Sequence, residues 1–331
     1  MVPVPPLPLA LPAGLSRRHS AEMSNVSTAR AGSRSTFTLR PDEQLRHVIT
    51  AATLAPSVHN TQPWRFVERP GGVDLFADDR RLAVLDPLGR LVRLSCGAAL
   101  LHARVAARGL GLDVTVALQP EPATPALLAR LQLSPGIPAT EAEIDLATAI
   151  LHRHTFRGVL EDRPVPETLV EELRRVTEAE GAILRPVTRP DDLIELRVLL
   201  ASATTEELSD QAYRVELASW VGRDPAAGDG VAESALVVLL STMGDDVGAW
   251  LQAGEAMGAV LLHAAGSGLL AQPLGQVTDQ PGSRVRLARA LSLVGVPQLV
   301  LRMGFAPGRA GTPRRPVDEL LAGSSRSGGL S

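Results

Sequence analysis

The chain has 331 residues, of which 45% are hydrophobic and 21% charged, enough to bury one large core or two modest ones. A formal net charge of −3, with no sustained basic stripe, leaves nothing to recruit nucleic acid. The single cysteine, Cys96, excludes an intrachain disulfide and fits a reducing, cytoplasmic compartment, and no apolar run reaches the length of a membrane span.

Residues 1–36 differ in kind from the rest. Pro3, Pro5, Pro6, Pro8 and Pro12 forbid a regular helix, no positive segment precedes the apolar run as a secretory signal requires, and the Ser/Arg-rich Ser16–Ser35 has no core-forming pattern. The reading is a disordered extension, with Met23 as a candidate alternative start and a second disordered tail at 323–331.

From Pro41 the chain becomes periodic. Leu45, Val48, Ile49 and Ala52 predict a helix over Pro41–Leu54, which Pro56 ends. Trp64–Glu68 and Val73–Ala77 read as strands joined across Pro70-Gly71-Gly72. A helix over Arg93–Arg108 stops at Gly109 and Gly111, a strand follows at Leu112–Leu118, and Ala123–Leu133 reads as a short helix or turn. Thr140 and Glu143 form a capping box that opens a helix to about His152. A helix over Pro166–Glu180, a strand over Ala182–Val187 and a long helical stretch Pro190–Trp220, broken near Ser202–Thr205, come next. A loop at Gly222–Gly230, a strand over Ala235–Ser241, a helix over Asp246–Ala265 and a strand over Pro297–Phe305 complete the order. A shift of 157 positions lays Gly97–Leu112 over Gly254–Leu269 with apolar positions in phase, a faint internal repeat.

Four stretches carry candidate chemistry. In Ala55–Phe66, Ser57, Asn60 and Gln62 offer a hydroxyl and two amides on a turn stiffened by Pro56 and Pro63; the same residues would also serve a plain helix-to-strand loop. Arg153-His154-Thr155-Phe156-Arg157 puts two guanidinium groups at a helix C-terminus, suited to phosphate or simply to the helix dipole. Gly266–Gly275 ends in Gln272-Pro273-Leu274-Gly275 after a glycine-rich helix stop, and Thr312–Pro316 contributes Arg314 and Arg315. His59 lacks a visible acid–base partner, His102 and His263 read as packed helix histidines, and no Cys or His spacing supports a metal site. Asp78–Arg81 reads as a solvated turn.

Together these stretches resemble the nitroreductase superfamily, and within it the Acg-like branch, whose members look like two nitroreductase half-units fused in one chain. The likeness runs from about Pro41 to Leu321. It includes Asp86–Arg90, Ser95–Ala99, Tyr213 with Glu216, Leu217 and Trp220, Ala253–Ala256 and Pro297-Gln298. It implies an α+β fold of antiparallel-rich sheets flanked by helices, with half-units at 37–139 and 140–322 forming an intramolecular pseudo-dimer, and hence a monomer. It implies FMN held by Ser57, Asn60, Gln62, Arg153, His154, Thr155, Arg157, Gln272, Pro273, Leu274, Gly275, Arg314 and Arg315. Arg153 and Thr155 match phosphate-side positions, Arg157 the one beside ring N1 and O2, and Gly266–Gly275 the segment near N5. The first half has only the Asn60 turn and the second only the arginine run, so one site needs both. The activity implied is electron transfer from NAD(P)H through flavin N5 to a small nitroaromatic or quinone-like acceptor. The alternative is a non-catalytic protein that stores or sequesters FMN under stress. Relatives carry a long lid after the Trp-ended helix; the short Val221–Ser234 here implies a more open flavin face.

Overall fold

A computed structural model describes residues 39–78, 82–221, 235–307 and 311–322. The expected disordered ends, most of the Asp78–Arg81 turn and the 222–234 stretch behind the open-face expectation lie outside the described residues.

Helix α1 (Pro41–Thr53) starts where the sequence places it. Pro41 sits where a helix needs no N–H, Glu43 reaches back to the Arg40 N–H at 2.8 Å, and Val48, Ile49, Ala51 and Ala52 form its buried face. A single 3₁₀ turn, Val58–Asn60, leads into the hairpin β1 (Trp64–Arg69) and β2 (Gly72–Ala77). After α2 (Arg90–Gly109) come β3 (Leu112–Leu118) and β4 (Leu127–Pro135). The β4 strand corrects the helix-or-turn expectation for Ala123–Leu133. Leu127, Ala129 and Leu131 are buried on a central strand between β2 and β3, where sheet pairing overrides a weak helical pattern.

The second part runs α3 (Glu141–His152), α4 (Glu167–Ala179), β5 (Ile183–Pro186), α5 (Pro190–Ser209), α6 (Gln211–Val221), β6 (Leu236–Thr242) and α7 (Val247–Gly266). It continues through β7 (Leu270–Leu274), the short α8 (Gln276–Asp279), α9 (Pro281–Ala290) and β8 (Val296–Gly304), and ends in α10 (Val317–Leu320) and β9 (Leu321–Ala322). The expected break near Ser202–Thr205 is instead at Asp210. That residue leaves the helical region and caps α6, accepting from the Ala212 and Tyr213 N–H groups at 2.8 and 3.2 Å.

Two sheets result. The first has order β3-β4-β2-β1-β9, antiparallel except for the β1–β9 pair; the second, β5-β6-β8-β7, is antiparallel throughout. β6 is buried on both faces. Val238 and Leu240 enter the main core, while Val237 and Leu239 meet Leu196, Leu199 and Leu287 of α5 and α9 in a smaller one. Each such leucine contributes roughly 2 kcal/mol of apolar burial. The whole is α+β.

The helices α2 and α7 join the two parts, and they touch at the glycines that the repeat aligns. A Cβ on Gly97 would overlap the Leu251 carbonyl oxygen, and one on Gly254 would overlap that of Leu94. Leu94 and Leu251 are themselves related by the shift of 157 positions, so the contact is exchanged, as across a two-fold axis. Among the described residues no helix is long and apolar enough to cross a membrane.

Candidate functional site

The turn after α1 is held in an unfavourable backbone shape. His59, Asn60 and Gln62 have φ of 45°, 58° and 49°, in the left-handed region that costs a side chain free energy. Hydrogen bonds from several elements fix it. The Gln62 N–H donates to Ser57 Oγ at 3.0 Å, and the Val58 N–H to Ser95 Oγ of α2 at 3.1 Å. Thr61 Oγ1 donates to the Val58 carbonyl at 2.8 Å.

Asn60 and Gln62 spend much of their amide capacity on the C-terminal arm. Asn60 Nδ2 donates to the Pro313 carbonyl at 3.0 Å and its Oδ1 accepts from Arg314 Nη1 at 3.0 Å. Gln62 Oε1 accepts the Arg315 N–H at 2.8 Å, and Nε2 donates to the Asn60 carbonyl at 3.1 Å. The arm returns to the first sheet as β9, beside Phe66 and Val67, so it is fastened beyond the turn as well.

Arg314 and Arg153 meet at the C-terminus of α1. Both donate to the Leu54 carbonyl at 3.2 Å, and Arg314 also reaches that of Ala55 at 3.2 Å. These carbonyls end a helix and have no intrahelical donors, so guanidinium groups suit them. They do not saturate the arginines. Arg153 Nε and Nη1 and Arg314 Nε are buried without hydrogen-bond partners, and among the described residues no carboxylate pairs with either side chain. Burial and the Arg314 charge push Arg153 down to about 9, and burial pushes Arg314 down to about 10. Both remain cations at neutral pH. Two desolvated cations with spare donors fit an anionic group such as a phosphate.

Downstream of Arg153, Thr155 pairs with Ala271 of β7 in a parallel bridge, and the Phe156 N–H donates to the Ala271 carbonyl at 3.0 Å. This brings the arginine run beside the Gln272–Gly275 segment. A Cβ at Gly275 would come within 2.7 Å of the Asp279 carboxylate where β7 turns into α8, so a side chain there would have to displace it.

A cavity of about 490 Å³ opens between these elements. Of the residues expected to bind cofactor, Ser57, Asn60, Thr155, Arg157, Gln272, Pro273, Gly275 and Arg314 line it. Arg153 is buried at 4% exposure, while Gln62 and Leu274 are buried and do not line the cavity. His154 is half-buried near Gly311, and Arg315 turns its guanidinium to Glu319 at 3.5 Å. His59 also lines the cavity; burial, then the Arg157 charge, lowers it to about 4, so it is a neutral imidazole at pH 7. His102 is packed against the Ala51 carbonyl at 3.3 Å, His263 meets Glu172 at 3.1 Å, and the buried Cys96 thiol donates to the Pro63 carbonyl at 3.5 Å. Among the described residues no His, Cys, Asp and Glu cluster could hold a metal ion.

The sequence reading missed an acidic part of the wall. Glu207 of α5 and Asp279 of α8 line the cavity with Tyr213. Asp279 is held by Arg90, which is 2% exposed and gives Asp279 Oδ1 a 3.1 Å bond while filling its other donors with Gln298 and the Thr278 carbonyl. Burial raises the Asp279 carboxyl and lowers the Arg90 guanidinium. A signal for Glu207 was present: it continues the buried stripe of Leu196, Leu199 and Ala203, where a carboxylate needs a reason.

No family model matches the chain. It is 33% identical over 320 residues to a Mycobacterium tuberculosis protein provisionally named an NAD(P)H nitroreductase, covering 85% of this chain and 92% of that one. It is 32% identical over 324 residues to the M. tuberculosis protein Acg, also provisionally named an NAD(P)H nitroreductase, covering 86% and 97%. A crystal structure from Anabaena variabilis, of a protein provisionally named a nitroreductase, covers 91% of this chain and 94% of its own at a TM-score of 0.57 and 11% identity, a likeness of fold.

Proposed function

Because this chain belongs to the nitroreductase superfamily, in its Acg-like branch, we propose that it is an NAD(P)H-dependent oxidoreductase that uses FMN in the cavity between its two halves. The observation that carries the cofactor is the meeting of Arg153 and Arg314, two buried cations with unfilled N–H donors, at the Leu54 carbonyl. A flavin carrying a phosphate supplies the missing anion, and the relatives' names give NAD(P)H as the reductant.

In this reading FMN, when bound, supplies two-electron hydride chemistry at N5. The chain's own residues do the rest. Arg153 and Arg314 hold the phosphate, and Thr155 adds a hydroxyl beside the run. Asn60 and Gln62 act chiefly on the C-terminal arm, keeping Arg314 aimed; Ser57 fixes the turn that presents Asn60. Arg157, exposed on the cavity wall, offers a cation to the flavin edge that gains negative charge on reduction. Gln272 and Gly275 line the cavity wall and would face a flavin bound there.

Half-units at 37–139 and 140–322 describe the chain in this proposal, with the exchanged Gly97–Leu251 and Gly254–Leu94 contacts as their pseudo-two-fold seam. The first half gives the Asn60 turn and the second gives both arginines, so one chain completes one site and works as a monomer. The acceptor is a small nitro or quinone compound.

The visible spectrum of purified protein, taken before and after anaerobic NADPH and NADH, tests this. An oxidised flavin band that bleaches is the expected result. A band that persists means sequestration, and no band after added FMN removes the cofactor assignment.

A further inference from the structure

Glu207 has a surrounding that a spectator carboxyl does not need. The helical period of α5 turns it inward behind Leu196, Leu199 and Ala203, leaving it 7% exposed. Tyr213 of α6 lines the cavity with it, while Glu207 Oε1 is buried with no hydrogen-bond partner among the described residues. From α8 it faces Asp279, whose charge is already met by Arg90 at 3.1 Å. On its own helix Glu206 is engaged by Arg286 of α9 at 3.1 Å. Among the described residues no cation pairs with Glu207.

We propose that Glu207 is the proton-donating acid of this cavity, its carboxyl supplying the proton that reduction of an oxygen-bearing acceptor consumes. The proposal rests on the flavin reading of the site. A quinone becomes a hydroquinone by taking up two electrons and two protons. A reduced flavin, if bound, would supply both electrons and one proton; Glu207 would give the other to an acceptor oxygen, be left as carboxylate, and be recharged by water. Holding that proton at neutral pH follows from the surroundings. Burial first, then the Asp279 charge, pushes Glu207 up to about 8 against the opposing influence of the Tyr213 hydroxyl. The same neutral acid is a hydrogen-bond donor to a nitro or carbonyl oxygen, so it selects acceptors that carry one.

The test uses full-length protein saturated with FMN, as wild type, Glu207→Gln and Tyr213→Phe. The oxidised flavin spectrum is titrated between roughly pH 6.5 and pH 9.5, and quinone reduction by the pre-reduced protein is followed by stopped flow. Wild type should show a spectral titration near pH 8 that Glu207→Gln lacks. Tyr213→Phe should move the titration upward, since the Tyr213 hydroxyl favours the ionised carboxylate. Acceptor reduction should slow above that pH in wild type and run about 100-fold slower, without the limb, in Glu207→Gln. A wild type that binds FMN but titrates as Glu207→Gln does would overturn this inference and leave the flavin reading standing. If Glu207→Gln does not fold, an unmoved titration in Tyr213→Phe is the overturning result. Failure of wild type to bind FMN at all defeats the flavin reading, and this inference with it.

Discussion

Where Arg153 and Arg314 meet, two cations are buried with only neutral oxygens as partners; where Glu207 and Asp279 meet, two carboxyls are buried and only Asp279 has a cation. Both arrangements cost free energy on their own, but they have different remedies. A guanidinium cannot discharge near neutral pH, so its desolvation is offset only by an anion from outside the chain. A carboxyl can take up a proton and become neutral. The cationic patch therefore points to an anionic ligand and the acidic patch to a stored proton, two needs that one redox reaction at a phosphorylated cofactor combines.

Changing Arg153→Met should separate stability from affinity most sharply. Losing a charge-assisted partner of the phosphate should weaken FMN binding at least about 100-fold, or about 3 kcal/mol. Thermal unfolding of the flavin-free protein should show it more stable than wild type by about 1–2 kcal/mol, because an uncompensated buried cation is gone. Parallel losses in both measurements would mean that Arg153 is a structural residue.

The acidic patch makes the opposite kind of prediction, one that depends on pH. The folded-state value of Glu207 is raised to about 8 by burial, and that of Glu255 to about 7 by burial against its Arg104 bond. A raised value means that the folded protein holds protons the unfolded chain releases. The corresponding stability is present below the ordinary carboxyl range and is lost as pH rises through the folded values. Denaturant unfolding of wild type should therefore weaken from about pH 5 to pH 8. Glu207→Gln should remove its share of that slope, gaining about 2 kcal/mol over wild type by pH 8. Equal slopes in the two proteins would place the Glu207 proton elsewhere.

A smaller effect tests how the cationic patch is aimed. Asn60→Ala removes the bonds to the Pro313 carbonyl and Arg314 Nη1, and should raise the FMN dissociation constant about tenfold, or about 1.4 kcal/mol, in a calorimetric titration. The smallest effect serves as a control away from both patches. Thr140→Ala deletes the α3 cap, in which the Glu143 N–H donates to Thr140 Oγ1 at 3.3 Å; it should cost about 1 kcal/mol of stability and leave FMN affinity unchanged.

The cationic patch was legible in the sequence because its parts are local motifs. The Asn60 turn, the arginine run and the Thr312–Pro316 arm each sit at an element boundary marked by proline or a cap. What could not be read there was how they share the work. Gln62 looked like a ligand amide, and only the folded arm shows both its amide ends engaged within the chain. The acidic patch is long-range: Glu207, Tyr213 and Asp279 come from three helices, and Asp279 depends on Arg90, 189 positions away. Strand β4 was missed for a related reason. Its identity comes from partners on both sides rather than from its own pattern. The Gly97–Gly254 repeat was faint in sequence and explicit in space, because close helix approach leaves glycine little alternative at either position.

The most direct test of the central claim compares FMN with riboflavin, which has the same ring but no phosphate, by calorimetric titration of the flavin-free wild type. If Arg153 and Arg314 are the anchor, FMN binds one per chain and riboflavin binds at least about 100-fold more weakly. Equal affinities would contradict the account, showing that the buried arginines serve the α1 terminus and not a phosphate.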